Sequence, residues 1–337
     1  MSRKTVTIKD VAAEAKVSRA TAARALNNYG YVGGDVSVRV REAAQRLGYR
    51  HNRVAQALRR GELPLIGFIP GDVQNPFFAQ IAHDLDRSLR PRGHNLLIAS
   101  SEEDLDQERE VMENLRSLSV RGFIVAPTSV QDTRHFQQLA AEGTPIVMID
   151  RHTDTVACDS IVVNNRGGAR EAVNYLVANG HRRIAFLGDE ARIFTARERL
   201  TGYRQALHEN GIESDERLIA VAPSTTKHAV ETAIRLFRQT PSPTALFTVD
   251  SLMTTGALIA LRSMGLSVPS DVSLVGFDDF DFATFTDPQI TVVAQPIDRI
   301  GPLAAQILLQ RIEGDQSEPQ DHVFPTKLII RGSVSAA

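Results

Sequence analysis

Apolar residues recur at helical spacing in three short stretches near the start of the chain. Thr7 is suited to cap a first helix that has an acid, Asp10, at its third position. Ser18 is suited to cap a second helix, which runs from Arg19 to about residue 28 after a short turn. A third helix is predicted from about residue 36 to a stop at Gly48. Two short helices joined by a turn of about three or four residues predict a helix-turn-helix.

The chain from residue 63 onward has a different pattern, in which short apolar runs alternate with amphipathic stretches. The apolar runs predict buried strands, and the stretches between them predict helices. Such alternation predicts parallel sheets with helices on both faces. The predicted fold class is a small all-α helix-turn-helix headpiece followed by an α/β core. The apolar runs are Leu65–Ile69, Leu96–Ala99, Gly122–Ala126, Pro145–Ile149, Ile184–Leu187, Ala245–Val249 and Val272–Phe277.

The charges are divided unevenly between these two regions. Of the 38 Lys or Arg and 40 Asp or Glu in the chain, thirteen and four lie within residues 1–60, which gives this part a net charge of +9 and the remainder −11. A basic helical unit on an acidic body predicts that the unit binds a polyanion, and a helix-turn-helix indicates DNA. A solvated basic tail is the alternative, but it would not show the apolar periodicity of the headpiece.

The second helix is predicted to read DNA, because the N-terminal part of such a helix faces base edges in the major groove. Arg19 and Arg24 can each donate two hydrogen bonds to guanine, and Ala20 offers a methyl contact, for instance to thymine. Short polar side chains nearby suit phosphates, which position the helix without reading sequence. These side chains are Thr7, Ser18, Thr21 and Asn27.

A segment of good helix formers, Asn52–Arg60, follows the headpiece. A helix this short is marginal in water on its own. We expect it to be disordered alone and to fold on DNA together with the copy from a second subunit. Leu58 would then insert between base steps of the minor groove. The alternative is a plain linker in which Leu58 packs on the core.

Five motifs in the headpiece and this segment resemble the LacI/GalR family of bacterial transcription regulators. They are Thr7-Ile8-Lys9-Asp10-Val11-Ala12, Val17-Ser18-x-Ala20-Thr21, Ala25-Leu26-Asn27, Leu47-Gly48-Tyr49 and Asn52-Arg53-Val54-Ala55. Ala23 and Gly33 stand where serines are usual in the family, and His51 stands where proline is common. The resemblance implies that Asn52, Arg53 and Ala55 contact DNA together with Leu58, and that a homodimer or a higher oligomer binds a near-palindromic operator.

The resemblance also implies a core of two lobes, like that of periplasmic binding proteins, with an effector cleft between them. The expected domains are the headpiece (1–50), a hinge (51–62) and the core (63–337). Within the core, lobe 1 comprises about 63–163 and 293–324, and lobe 2 comprises about 164–292 and 325–337. The three crossovers between the lobes are expected near residues 163, 292 and 324.

Polar and aromatic side chains follow several predicted strands, and ligands of open α/β sheets lie beyond the carboxyl ends of strands. Carboxylates suit vicinal hydroxyls, guanidinium groups suit ring and hydroxyl oxygens, and aromatic rings suit the C–H face of a sugar. The resemblance places most of these residues on the sugar-contacting positions of pentose-binding members. The candidate ligand-binding residues are Asn75, Phe77, Phe78, Asp150, Arg151, Phe194, Arg199, Asp278 and Gln295.

Two departures from the family pattern affect the expected ligand. Val249 stands where many members have a ligand-binding Asn, and Pro223-Ser224-Thr225 lies where an aromatic lid often sits. Acids in the site oppose a phosphorylated ligand. A neutral monosaccharide or polyol fits best, and a sugar acid held by Arg151 and Arg199 is the alternative. The effector acts either as an inducer or as a co-repressor.

Composition and motifs exclude several other classes. No apolar run reaches the roughly 18 residues of a membrane span, and the polar N-terminal segment is unlike a secretory signal. We therefore expect a cytoplasmic, nucleoid-associated regulator and not a transport-type sugar-binding protein. No G-x-G-x-x-G follows the first strand and no G-x-S-x-G is present, which argues against an enzyme. With Cys158 as its single cysteine and its histidines scattered, the chain is expected to hold no metal and no cofactor.

Overall fold

The computed structural model describes residues 6–27, 30–49 and 64–337. The chain divides into two compact units between residues 63 and 64, and each is described here by itself. The predicted hinge, with the candidate DNA contacts Asn52, Arg53, Ala55 and Leu58, lies outside the described residues.

The first unit contains the three predicted helices. They are α1 (Ile8–Glu14), α2 (Arg19–Asn27) and α3 (Gly34–Arg46). The Asp10 carboxylate accepts hydrogen bonds from the Thr7 backbone N–H and hydroxyl, each at 2.7 Å, and this arrangement fixes the start of α1. Helix α3 begins two residues earlier than predicted, with Gly33 at its N-cap. Alanines and valines from all three helices form one small core, which confirms the helical pattern of the sequence.

Residues 64–337 form two lobes, each built on a six-stranded sheet. The sheet of lobe 1 has the order β11-β5-β4-β3-β1-β2, and all its strands are parallel. Its strands are β1 (Leu65–Ile69), β2 (Asn95–Ile98), β3 (Phe123–Val125), β4 (Ile146–Ile149), β5 (Asp159–Val163) and β11 (Asp321–Phe324). The helices around it are α4 (Pro76–Leu89), α5 (Leu105–Ser117), α6 (Arg134–Ala141) and α12 (Ile297–Ile312).

Lobe 2 repeats this plan. Its sheet has the order β12-β10-β9-β8-β6-β7 and is parallel except for the pair β10–β12. Its strands are β6 (Ile184–Gly188), β7 (Ile219–Val221), β8 (Ala245–Thr248), β9 (Ser273–Phe277), β10 (Thr291–Ala294) and β12 (Lys327–Ile329). Its helices are α7 (Asn165–Ala178), α8 (Phe194–Glu209), α9 (Thr226–Phe237), α10 (Ser251–Ser263) and α11 (Asp281–Phe285).

Alternate residues of the strands in lobe 1 point to opposite faces, as the pleat requires. Phe68 packs in a cluster with α4 and α12, whereas Ile69 packs in a second cluster with α5 and α6. Helices therefore cover both faces, as the sequence predicted. The chain crosses between the sheets after β5, after β10 and after β11. No helix in the part of the chain that the structure describes is long and apolar enough to cross a membrane.

Candidate functional site

A cavity of about 310 Å³ lies between the two lobes, at the carboxyl ends of strands from both sheets. Eight of the nine candidate ligand-binding residues line it, although they are far apart in sequence. They are Asn75, Phe77, Phe78, Asp150, Arg151, Arg199, Asp278 and Gln295. Asn75 also caps α4, since its Oδ1 accepts a hydrogen bond from the Phe77 N–H at 3.0 Å.

The ninth candidate, Phe194, does not line the cavity. Helix α8 begins at this residue, and its neighbours Ile193 and Thr195 face the cavity instead. Because successive helical residues point in different directions, the Phe194 ring faces away and packs edge-on against His152, with ring centroids 5.0 Å apart. The assignment of Phe194 to the ligand site is therefore wrong by one helical position.

Asp150 in lobe 1 and Asp278 in lobe 2 have the same left-handed backbone conformation. Asp150 directly follows β4 and has φ +65°, and Asp278 directly follows β9 and has φ +78°. Left-handed conformations are costly for residues with a side chain, and they concentrate at functional sites. Both aspartates are nine-tenths buried or more and line the cavity.

Asp278 accepts a hydrogen bond from Gln295 Nε2 at 2.5 Å. Burial raises the pKa of Asp278 to about 6, against the opposing effect of the nearby Arg199 charge. Burial also raises the pKa of Asp150, although Arg151 and Arg199 counteract it. Both carboxyl groups are thus held where ionisation is costly without a further partner.

Arg199 is 5% exposed, and two of its nitrogens are held by the protein. Its Nε donates to Asn165 Oδ1 at 2.8 Å, and its Nη1 donates to the Val249 carbonyl oxygen. The guanidinium lies over the Phe277 ring, 3.7 Å from the centroid. The backbone of Val249 therefore positions Arg199, while its apolar side chain forms part of the cavity wall.

The principal partner of Arg151 is Glu103, which is not among the candidate residues. Arg151 Nη1 and Nη2 each donate to a Glu103 carboxylate oxygen at 2.6 Å, in a bidentate pair. Arg151 Nε also lies 3.3 Å from Asp150 Oδ2, so this neighbouring carboxylate is a second and longer contact. The turn that carries Glu103 has two successive positive φ values, +52° at Glu102 and +56° at Glu103, and the sequence gives no sign of this turn.

Two further aspartates of lobe 2 line the cavity and were also missed. Asp189 follows β6, and burial with the nearby charges of Asp250 and Glu103 raises its pKa to about 7. Asp250 follows β8, caps α10 through a 2.8 Å hydrogen bond from the Met253 N–H, and accepts a hydrogen bond from Ser224 Oγ at 2.6 Å. The strand-end rule that located Asp278 applies equally to both. In the described part of the chain, no cluster of three or more His, Cys, Asp or Glu could hold a metal ion.

Two contacts join the lobes at the edge of the cavity. Arg192 Nη1 of lobe 2 donates to the Glu103 carbonyl oxygen of lobe 1 at 2.8 Å. Ser251 Oγ of lobe 2 lies 3.5 Å from Asn75 Oδ1 of lobe 1. Aromatic contacts join the lobes as well, since Phe194 of lobe 2 packs on His152 of lobe 1 and Phe280 of lobe 2 packs against the core of lobe 1.

In the headpiece, the predicted reading positions Arg19, Ala20 and Arg24 are all exposed on α2. Among the predicted phosphate contacts, Ser18 and Thr7 are exposed and Thr21 is half-buried, whereas the side chain of Asn27 lies outside what the structure describes. Ser18 Oγ accepts a hydrogen bond from the Thr21 N–H at 3.0 Å and caps α2.

Comparison with known proteins agrees with both units. The family model described as "Bacterial regulatory proteins, lacI family" matches residues 7–52, and "Periplasmic binding protein-like domain" matches residues 173–334. The HTH-type transcriptional regulator GalS of Salmonella typhimurium is 33% identical over 330 residues, covering 98% of this chain and 97% of that protein.

Two solved structures are similar over almost the whole chain. The lac repressor dimer bound to operator and the anti-inducer ONPF has a TM-score of 0.85 at 26% identity, covering 99% of this chain and 100% of that one. The transcriptional regulator CelR in complex with cellobiose has a TM-score of 0.73 at 31% identity, covering 97% and 99%. This chain therefore belongs to the LacI family of bacterial DNA-binding transcription regulators, and it is a regulator and not an enzyme.

Proposed function

We propose that this chain represses a carbohydrate-utilisation operon and that a small hydroxylated ligand, a monosaccharide or polyol, controls its affinity for operator DNA from the cavity between the lobes. The observation that carries this proposal is the convergence of Asp150, Arg199 and Asp278, all buried, on one cavity. Buried charges are costly unless they are hydrogen-bonded. Vicinal hydroxyls can donate to the carboxylates and accept from the guanidinium, so such a ligand would supply the missing bonds.

The size and walls of the cavity support a small ligand. Its volume of about 310 Å³ is at the lower end of the range of about 300–1,000 Å³ for small-molecule sites. Phe77 and Phe78 pack in the lobe 1 core and also line the cavity, with their rings edge to face at 5.1 Å. An apolar wall opposite polar groups suits a sugar ring, which has C–H faces and hydroxyl edges. Because carboxylates outnumber arginines in the lining, a sugar acid is disfavoured.

The relatives support the same function. CelR is described in complex with cellobiose, and the lac repressor is described as a dimer bound to operator. We propose that this chain likewise acts as a homodimer on a near-palindromic site, with α2 of each subunit in a major groove. Ligand closes the lobes and operator favours the other arrangement, so each lowers the affinity for the other by the same factor.

The test begins with selection of DNA from a random pool and measurement of operator affinity by fluorescence anisotropy. A thermal-shift screen of pentoses, hexoses, polyols and sugar acids then identifies the effector, because a ligand that binds the native state raises its stability. We expect a sugar or polyol to raise Tm and to weaken operator binding. The variant Asp278→Asn should lose this response and keep operator binding, whereas Asp154→Asn, an exposed control in lobe 1, should keep both.

Each outcome has a clear meaning. Strengthened operator binding with ligand would assign co-repressor logic and overturn the proposed direction of control. A full response in Asp278→Asn would refute the cavity assignment. A sugar that binds a chain with no operator preference would favour a transport-type binding protein.

A further inference from the structure

The lining of the cavity contains more carboxylates than guanidinium groups. Seven carboxylates face it, whereas three guanidinium groups do. The acidic residues are Asp72, Glu102, Glu103, Asp150, Asp189, Asp250 and Asp278, and the basic residues are Arg151, Arg192 and Arg199. Buried carboxylates without a cationic partner favour a ligand that donates hydrogen bonds or carries positive charge.

The three arginines do not provide that balance, because the protein already engages them. Arg151 is held by the bidentate pair with Glu103 and by the Pro127 carbonyl oxygen. Arg192 is paired with Glu190, at 2.6 Å, outside the lining. Arg199 donates hydrogen bonds from Nε and Nη1 to neutral acceptors. Its third side-chain nitrogen, Nη2, makes no hydrogen bond to a described residue.

Three aspartates of lobe 2 are left without a salt bridge to any residue that the structure describes. Asp189 accepts a hydrogen bond from the Glu190 N–H, Asp250 from a hydroxyl and a backbone N–H, and Asp278 from a side-chain amide. All of these donors are neutral. The three aspartates follow β6, β8 and β9, so they lie at one edge of a single sheet. Mutual repulsion is consistent with the pKa of Asp189, which is raised in part by Asp250.

Gln295 is a second and independent indication that the ligand donates hydrogen bonds in this part of the cavity. Its Nε2 is committed to Asp278, so its Oε1 is the remaining acceptor. This atom is buried and has no hydrogen-bond partner in the described part of the chain, and its side chain lines the cavity. A buried acceptor without a partner is destabilising. A ligand that donates a hydrogen bond here, as at the aspartates, would satisfy this acceptor.

We propose that the effector is a hydroxylated amine, such as an amino sugar, whose ammonium group lies against Asp189 and Asp250. An ammonium group is a donor of three hydrogen bonds and accepts none, and burial of its charge requires paired carboxylates. The charge of Arg199 acts more strongly on Asp278 and Asp150 than on Asp250, the charge of Arg151 acts on Asp189 more weakly than its other neighbours do, and neither Asp189 nor Asp250 forms a salt bridge with a described residue. This inference rests on the proposed function and specifies the ligand of the same cavity.

The test uses the full-length protein and matched triplets of probes, measured by isothermal titration calorimetry. The triplets are glucose, galactose and mannose, their 2-amino-2-deoxy forms and the N-acetylated amines. We expect one amine to bind at least about tenfold more tightly than both its parent sugar and its N-acetyl form, since hydrogen bonds to charged groups contribute about 1.5–3 kcal/mol. The parent sugar has a neutral hydroxyl of similar size at C2, so it separates charge from shape, and N-acetylation removes the charge while it keeps the ring hydroxyls and adds bulk.

A second measurement tests whether the carboxylate of Asp189 binds the ammonium group. In Asp189→Asn, the ratio of amine affinity to parent-sugar affinity should fall to about one, whereas it should be retained in the exposed control Asp154→Asn. Circular dichroism shows whether each variant is folded. A parent sugar that binds as tightly as its amine would overturn this inference and leave the proposed function standing. If no amine binds, this inference is overturned, whereas the proposed function is decided by the wider thermal-shift screen. An amine preference retained in Asp189→Asn would overturn the assignment of the ammonium group to Asp189.

Discussion

Replacement of Asp278 by Asn should stabilise the free protein at alkaline pH while it removes the response to ligand. The carboxyl group of Asp278 is 2% exposed, and its pKa is raised to about 6 by burial. The pKa of an unfolded-chain aspartate is about 3.9. The native state therefore binds more protons than the unfolded state between these two values, and stability from this group falls as the pH rises through that window.

The magnitude follows from the shift of about two pKa units, each equivalent to about 1.36 kcal/mol. Above about pH 6 the ionised carboxylate costs the ligand-free protein up to about 3 kcal/mol, and below about pH 4 it costs almost nothing. Asn has the same shape and no charge, and its Oδ1 can keep the hydrogen bond from Gln295. We expect Asp278→Asn to be about 1–3 kcal/mol more stable than the wild type at pH 8 and equal to it near pH 4.

Urea denaturation at pH 4, 6 and 8 measures this difference, at one protomer concentration throughout because the proposed dimer makes stability concentration-dependent. The control Asp154→Asn changes an exposed carboxylate and should show no gain that grows with pH. A variant that is less stable than the wild type at pH 8, or a difference that does not vary with pH, would refute the reasoning. A gain in stability together with loss of ligand response would show that this carboxylate is retained for binding.

Three other predictions follow from the geometry. Arg19→Ala should relax base preference at one operator position at a cost of about 1–3 kcal/mol, and an unchanged preference across operator variants in gel-shift assays would contradict the reading role. Glu103→Gln should destabilise the core by about 3–5 kcal/mol in urea denaturation, because the buried guanidinium of Arg151 loses its bidentate partner. The control Glu102→Gln replaces an exposed neighbour and should change the stability little. Phe194→Ala should leave ligand affinity within about twofold in calorimetry, whereas Phe77→Ala should weaken it at least about tenfold, and equal losses would contradict the placement of these rings.

The sequence predicted those features that depend on local patterns. Helix caps at Thr7 and Ser18 were visible because a short polar side chain stands directly before an apolar periodic stretch. The position of the cavity was also predictable, because parallel strands carry their loops at one edge. The pair of Glu103 and Arg151 was not predictable, since it joins residues 48 positions apart through a turn with left-handed backbone.

Phe194 shows a different limit. Its position after a strand was correctly read, but whether a residue at the start of a helix faces the cavity depends on the helix's rotation, which the sequence does not define to within one residue. Conversely, Asp189 and Asp250 satisfied the strand-end rule and were passed over, because only the fold shows that they share one cavity with Asp278. The excess of carboxylates over arginines in the site could be inferred only after these side chains were placed together.

The repeated placement of an aspartate explains why Asn, and not Ala, is the informative substitution in this site. The two sheets have the same strand order, and in each lobe the residue after the fourth strand, Asp150 or Asp278, has a positive φ. Among residues with a side chain, Asn and Asp tolerate this conformation best, because their short polar side chains can hydrogen-bond locally. Alanine would add backbone strain of order 1–3 kcal/mol to the loss of the carboxylate, and the two effects could not be separated. Asn keeps the conformation and removes only the charge, so any change in ligand response reports on electrostatics in the cavity.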